Sequence, residues 1–166
     1  MTKINWGAGN YPIKADGWLN LDVKGTYQGW ERGLGAKFNK IGDLTKYPYL
    51  FDTNSVFCIT ISHTLNQVPD HESIFKEFYR ILVPGGVLRI TDDDNENPKS
   101  KYYVPHEHTV TKMIPSKIIK QLEKVGFSIV SITDSKNTLF DDRNIIVDNH
   151  PTSKEGVDKF FIEAVK

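Results

Sequence analysis

Residues 52–94 read DTNSVFCITISHTLNQVPDHESIFKEFYRILVPGGVLRITDDD, and this stretch decides the fold. The run VFCITI within Ser55–Ser62 is apolar on both faces, the pattern of a central parallel strand covered on each side. Asp70 is a suitable N-cap, and Ile74, Phe75, Phe78, Ile81 and Leu82 repeat at helical spacing to form one apolar stripe. Pro84-Gly85-Gly86 ends that helix and turns the chain into a second strand, Val87–Thr91. Short apolar runs alternating with amphipathic segments are the signature of an α/β layer fold.

Working outward, the same pattern continues. Strands are expected at Lys3–Trp6, Trp18–Val23, a short piece near Lys40–Gly42, Phe127–Thr133 and Lys159–Val165. A second helix begins at Pro115, buries Ile118, Ile119, Leu122 and Val125, and stops at Gly126, which suits the left-handed position past a helix end. The Gly-rich stretch Tyr27–Asn39 carries no clear assignment, and the polar stretch Ser135–Gly156 reads as a long surface loop or excursion. No repeat, low-complexity tract or Pro/Ser linker divides the chain, so residues 1–166 are expected to form one domain.

Composition narrows the function classes. The 166 residues carry 21 Lys+Arg against 21 Asp+Glu, a formal charge of zero. A broad electrostatic nucleic-acid binder needs a basic face, so no nucleic-acid partner is expected. No run approaches the roughly 18 apolar residues of a membrane span, and the N-terminus has no apolar signal core. The lone Cys58 cannot form an internal disulfide and suits a reducing compartment. The expectation is a soluble, cytoplasmic domain without a membrane partner.

A glycine turn, Gly7-Ala8-Gly9, directly follows the first strand, and small residues there let a ligand approach backbone N–H groups. A plain strand-to-loop turn accepts the same residues. Asp22 ends the next strand, where a carboxylate can accept both hydroxyls of a cofactor ribose. A dinucleotide site would need a third glycine leading into a full helix, but Pro12 stands in that place. Only Asn10–Gly17 separates the turn from Trp18, too short for the usual crossover. A cofactor without phosphates would not miss the helix N-terminus, so a nicotinamide oxidoreductase is disfavoured.

Taken together, these stretches resemble the class I S-adenosylmethionine-dependent methyltransferases, in particular a short, type-11-like group with an abbreviated first crossover. INWGAGNYPIKADGWLNLDV is similar to that group's opening glycine turn followed by G-W-[IL]-N-[VL]-D. Residues 52–94 are similar to its fourth strand, following helix and P-G-G turn. HEHTVTKMIPSKIIKQLEKVGFSIVSI is similar to its H-x-H, Pro-led helix and G-F strand entry. The resemblance implies a Rossmann-like three-layer sandwich with a mostly parallel seven-stranded sheet, an antiparallel final strand, and the last two strands as a hairpin at the edge. It implies S-adenosylmethionine as cofactor. Trp6, Gly7, Ala8 and Gly9 would meet its methionine end, Asp22 its ribose, Asp43 and Leu44 its adenine, and Ser62 and His63 its sulfonium. Two departures stand out: Ala8 replaces the family's common Cys, and Asn66-Gln67 replaces a carboxylate and an imidazole.

Methyl transfer from a sulfonium is an in-line displacement that mainly needs alignment and exclusion of water. A general base helps where the acceptor carries a proton of high pKa. His63 is the candidate base, or alternatively a strand cap packed beside the cofactor. Asp92, first of Asp92-Asp93-Asp94, is the candidate to orient a hydroxyl or amine, or else is simply solvated. Tyr102, Tyr103, His106 and His108 are candidates for the acceptor pocket. His106-x-His108 has no third ligand set by spacing, so no metal site is expected. Cys58 reads as core packing. The expected activity is methyl transfer to a small-molecule acceptor such as a sugar or amine. A non-catalytic cofactor-binding or partner-binding module is the alternative. The chain has room for little beyond the cofactor sheet, so the acceptor is small or a second copy of the chain completes the surface.

Overall fold

The computed structural model describes residues 2–8, 13, 15–23, 40–96, 109–134, 139–140, 145–146 and 159–166. β1 (Thr2–Trp6), β2 (Trp18–Asp22), β3 (Lys40–Ile41) and β4 (Val56–Ser62) precede a 3-10 turn at Leu65–Gln67 and helix α1 (His71–Ile81). β5 (Leu82–Asp93), α2 (Pro115–Val125) and β6 (Ser128–Asp134) follow, then two short strands, β7 (Leu139–Phe140) and β8 (Ile145–Ile146), and finally β9 (Lys159–Val165).

Both helices start and stop where their sequence punctuation says. The Asp70 carboxylate accepts from the Ser73 N–H at 3.0 Å, and the stripe from Ile74 to Leu82 is buried. Pro115 opens α2, and Gly126 closes it at φ 118°, its N–H donating back to Leu122 and Glu123. β5 begins at Leu82, earlier than the expected Val87. Leu82 already pairs with Val56, and the backbone at Gly85 and Gly86 bonds to Lys166 at the end of β9.

The seven-stranded sheet has the order β3-β2-β1-β4-β5-β9-β6. Within this sheet every described pair is parallel except β5–β9 and β6–β9, so β9 alone runs against the other six. The last two sheet strands pair antiparallel at the edge of the sheet, as expected, with β9 between β5 and β6 and β6 outermost. Within the polar stretch Ser135–Gly156, β7 and β8 pair as a separate two-stranded ladder. The Gly-rich stretch Tyr27–Asn39 lies outside the described residues.

The two faces of the sheet differ in chemistry. Residues side by side in register share a face. Ile4, Trp6, Leu21, Ile59, Ile61, Leu88, Ile90 and Ile162 therefore lie together, and all are buried beside Phe75 and Phe78 of α1. The helices α1 and α2 touch each other and cover this face. On the opposite face, Asn5, Asn20, Thr60 and Thr91 are buried polar groups. Two of them are joined: Asn5 Nδ2 donates to Asn20 Oδ1 at 2.9 Å. No α-helix is described on that face, and the third layer of the expected sandwich falls outside the described residues.

The connection from β3 to β4 is tied to α1 rather than being helical. The Glu77 carboxylate accepts from the Tyr49 N–H at 2.8 Å. Arg80 donates to Glu77 through Nε and Nη2 at 2.9 Å each, and to the carbonyls of Phe51 and Tyr49 at 2.9 and 3.1 Å. The Tyr49 and Trp6 rings pack 4.5 Å apart at a tilt of 47°, with Phe78 5.5 Å from Trp6. Hydrogen bonds from the Arg80 guanidinium, helped by the Tyr49 N–H, hold the Glu77 carboxyl below the ordinary glutamate range against the opposing effect of burial.

A depressed folded-state pKa stabilises the protein above the unfolded value and ceases to do so as the pH falls through the folded one. Replacing Arg80 with Met is expected to lower the unfolding free energy by about 2 kcal/mol at neutral pH, measured by urea denaturation. The stability difference between wild type and Glu77→Gln is expected to be level at neutral pH and to shrink below the unperturbed pKa of 4.5. A difference that grows on acidification would contradict this sign.

Candidate active site

The candidate residues collect at the C-terminal ends of β1, β2, β3, β4 and β5. Open parallel sheets bind ligands there, where connections leave neighbouring strands in opposite directions. Here that point lies between β1, which continues outward to β2, and β4, which continues outward to β5.

At the end of β1, Gly7 takes φ 71° and turns the backbone so that the N–H groups of Gly7 and Ala8 both donate to the Leu21 carbonyl, at 2.9 and 3.0 Å. A Cβ on Gly7 would lie 2.8 Å from Thr64 Cβ and collide with the rest of that side chain. Glycine is therefore required by conformation and by space. Ala8 is buried, as a small residue in this turn must be. Gly9 lies outside the described residues. The Trp6 side chain turns into the core, its Nε1 donating to the Gly42 carbonyl at 3.0 Å.

The shortened crossover is secured by a side chain. Asn20 Oδ1 accepts from the Ile13 N–H at 2.8 Å, and Asn20 Nδ2 donates to the Ile13 carbonyl at 3.0 Å. One buried amide thus grips both polar groups of residue 13 and keeps the crossover against β2. Two residues along the strand, Asp22 is buried, with its Oδ1 accepting from the Val23 N–H at 2.8 Å.

After β3, Asp43 accepts from the Thr45 N–H and hydroxyl at 2.9 and 2.7 Å. Burial works to raise its pKa, but these bonds, with Lys46, leave the carboxyl below its ordinary value. Leu44 is buried, and its carbonyl accepts from the Tyr49 hydroxyl at 2.9 Å. A cavity of about 570 Å³ opens beside these residues, lined by Leu21, Val23, Gly42, Asp43, Tyr47 and Tyr49 among others. It flanks the end of β2 and the residues after β3, the side to which the resemblance assigns an adenine.

Ser62 ends β4, and its carbonyl accepts from the Thr64 hydroxyl at 2.8 Å. His63 follows at φ 46°, an unusual value for a residue with a side chain. Its N–H donates to the Thr91 carbonyl at 3.0 Å, and the Gln67 side-chain amide donates to the His63 carbonyl at 3.1 Å. The His63 Nδ1 lies 3.8 Å from Asp92 Oδ1 and 3.8 Å from Asp93 Oδ1. Asp92 is wholly buried and also accepts from the Asp93 N–H at 2.9 Å. Asp94 turns away to receive the Glu96 N–H.

The expected His63 and Asp92 are therefore neighbours, while Tyr102, Tyr103, His106 and His108 lie outside the described residues. The nearness of Asp93, the Asn20 grip and the Thr64–Gly7 contact are additions. The only sequence signal for the first is its place beside Asp92. Asn66 and Gln67, the second departure from the resemblance, lie in the turn itself: the Asn66 carbonyl accepts from the N–H groups of Val110 and Thr111.

Comparison with known proteins agrees with this fold. Residues 24–90 match the methyltransferase domain family. A S-adenosylmethionine-dependent methyltransferase from Methanosarcina mazei superposes with a TM-score of 0.66 at 16% identity, covering 99% of this chain and 92% of that one. One from Archaeoglobus fulgidus gives 0.66 at 14%, covering 99% and 86%. The protein complexed with the Trm112 methyltransferase activator of Haloferax volcanii gives 0.63 at 16%, covering 99% and 81%. No curated protein matches the chain in sequence. The fold is that of the class I S-adenosylmethionine-dependent methyltransferases, and the resemblance read from the sequence is borne out. Among the described residues no helix is long and apolar enough to cross a membrane.

Gly7→Ala is expected to destabilise the protein by about 2 kcal/mol or more, because strain and collision add. Combining it with Thr64→Ala should recover the collision part only. Urea unfolding of the two single variants and the pair checks this; strict additivity would show that the contact does not matter.

Proposed function

We propose that the chain is an S-adenosylmethionine-dependent methyltransferase that acts on a small-molecule acceptor by in-line displacement. The matched family and the fold imply the cofactor. The observation that carries the reading is the alignment of the Gly7–Ala8 turn, Asp22 and the cavity beside Asp43 along one sheet edge, with His63 and Asp92 farther along it. In this reading Gly7, Ala8 and Gly9 leave room for the methionine end by their small size, the Gly7 and Ala8 N–H groups being given to Leu21, and Asp22 accepts the ribose hydroxyls. The adenine lies against Val23 and Asp43, with Leu44 supporting that wall from within, and Trp6 does the same beneath the turn. Ser62 and His63 face the sulfonium. His63 and Asp92, with Asp93, act on the proton-bearing group of the acceptor, a sugar hydroxyl or an amine. Tyr102, Tyr103, His106 and His108 are proposed to complete its pocket. The whole chain serves as one cofactor-binding domain in the cytoplasm, and a second copy can complete the acceptor surface.

The second reading, a cofactor-binding module without turnover, draws on Asn66-Gln67. Both residues are committed to the turn, and neither supplies an acid or a base.

Calorimetry should show S-adenosylhomocysteine binding to the wild type, weakened about tenfold or more in Asp22→Ala, since a buried carboxylate accepting two hydroxyls contributes on the order of 1.5–3 kcal/mol. No heat from folded wild-type protein would sink the cofactor assignment. Methyl incorporation from labelled S-adenosylmethionine into a pool of small acceptors separates the two readings: binding without incorporation favours the module.

A further inference from the structure

We infer that the side chain of Asn66 holds the methyl acceptor, its Oδ1 accepting a hydrogen bond from a hydroxyl or amine of that molecule. Asn66 sits in the 3-10 turn Leu65–Gln67 that leads out of β4. Its backbone is committed, since the carbonyl accepts from the N–H groups of Val110 and Thr111 at 2.9 and 3.0 Å. Its side chain is not. Asn66 is 7% exposed, and its Oδ1 is buried with no hydrogen-bond partner. An amide oxygen left in that state destabilises a fold, and buried polar groups are otherwise nearly always satisfied. A group kept unpaired at the edge of a ligand-binding sheet is suited to a ligand's donor.

The surroundings of the turn favour the acceptor as that ligand. Thr64, just before the turn, fills the space that Gly7 leaves at the end of β1. Gln67 donates its side-chain amide to the carbonyl of His63, whose Nδ1 lies 3.8 Å from Asp92 and from Asp93. Val110 and Thr111, bonded to Asn66, follow Tyr102–His108 in the sequence. The turn is thus tied to the glycine turn, to His63 and to the segment after the candidate pocket residues. Thr60 and Gln121 also bury an unpartnered oxygen, but inside β4 and on α2 rather than at the edge. The terminal torsion of asparagine is soft, so a small turn of the amide brings Oδ1 to a donor.

The role rests on the methyl-transfer reading and narrows its acceptor. In that reading His63 and Asp92 act on the group that receives the methyl, so the donor on Asn66 belongs to a second group of the same molecule. The acceptor class is accordingly a small diol or amino alcohol, with two neighbouring groups that carry polar hydrogens. An amide suits this place. It accepts as a carboxylate does, without adding a negative charge near Asp92 and Asp93. No bond is given up when an unpaired oxygen takes a donor, so an acceptor with the second group binds better than one without it.

Methyl incorporation from labelled S-adenosylmethionine is measured on full-length protein with two matched pairs, ethanolamine with ethylamine and cis-1,2-cyclohexanediol with cyclohexanol. Wild type should methylate a two-group probe and prefer it about tenfold or more over its one-group counterpart in kcat/KM. In Asn66→Leu the KM for that probe should rise about tenfold or more, with kcat changed less, and the preference should vanish. Asn66→Asp keeps an oxygen at the same place and should retain the preference. Urea unfolding separates a structural role, since Asn66→Leu keeps the shape, removes an unpaired oxygen and should be no less stable than wild type. Asn66→Ala takes its place in the kinetics if the leucine variant fails to fold. Unchanged KM and preference in the folded Leu or Ala variant, or equal loss of preference in Asn66→Asp, overturns the role of Asn66. S-adenosylhomocysteine binding is measured separately by calorimetry. Folded wild type that binds it and methylates neither two-group probe overturns the acceptor class together with the role. Wild type that does not bind it removes the methyl-transfer reading itself.

Discussion

The ends of β1 and β4 meet at a point with room for only one side chain. Thr64 takes that space, and Gly7 yields it. Because residue 7 carries no side chain and adopts φ 71°, the chain leaving β1 can fold back so that two successive N–H groups reach the Leu21 carbonyl of β2. That turn directs the first crossover outward while the connection from β4 leads to α1 and β5 on the other side. The cleft at the sheet edge exists because these two connections part there, and every proposed ligand contact is arranged along it.

A turn is not sufficient to hold a crossover that has been shortened. A helix would satisfy its own backbone groups and cover the sheet with an apolar stripe. Here the buried amide of Asn20 supplies hydrogen bonds to residue 13, and Asn5 supports that amide from the neighbouring strand. The polar character of this sheet face thus follows from the shortened crossover. The Glu77–Arg80 fork plays the corresponding part for the connection from β3 to β4. In both places a few side-chain hydrogen bonds tie described residues of a connection to its neighbours, and the walls of the edge cleft depend on them.

This explains how much was legible in the sequence. α1 and α2 were readable nearly to the residue, because Asp70, Pro115 and Gly126 are local signals whose chemistry needs no distant partner. The strands were readable from their apolar runs, and the ends of β1, β2 and β4 located most of the candidate site. The insertion of β9 between β5 and β6 was not legible, since strand order depends on pairing between distant segments. Side-chain direction was the other gap. Trp6 and Leu44 occupy the expected positions but face the core, because strand alternation and the packing of Tyr49 decide where they turn. The meeting of Asp93 with His63 depends on a backbone angle that histidine seldom adopts, so no residue pattern announces it.

The zero net charge acquires a different meaning once the carboxylates are located. Asp22, Asp43, Asp92 and Asp93 stand at the ends of three strands, β2, β3 and β5, on one edge, so a chain neutral overall is polarised locally. The proposed cofactor carries a positive sulfonium that becomes neutral on transfer. Two unit charges about 5 Å apart interact by about 3 kcal/mol at an effective dielectric of 20. An acidic edge therefore favours the charged cofactor over its neutral product, which helps exchange after each turnover but also stabilises the ground state that must react.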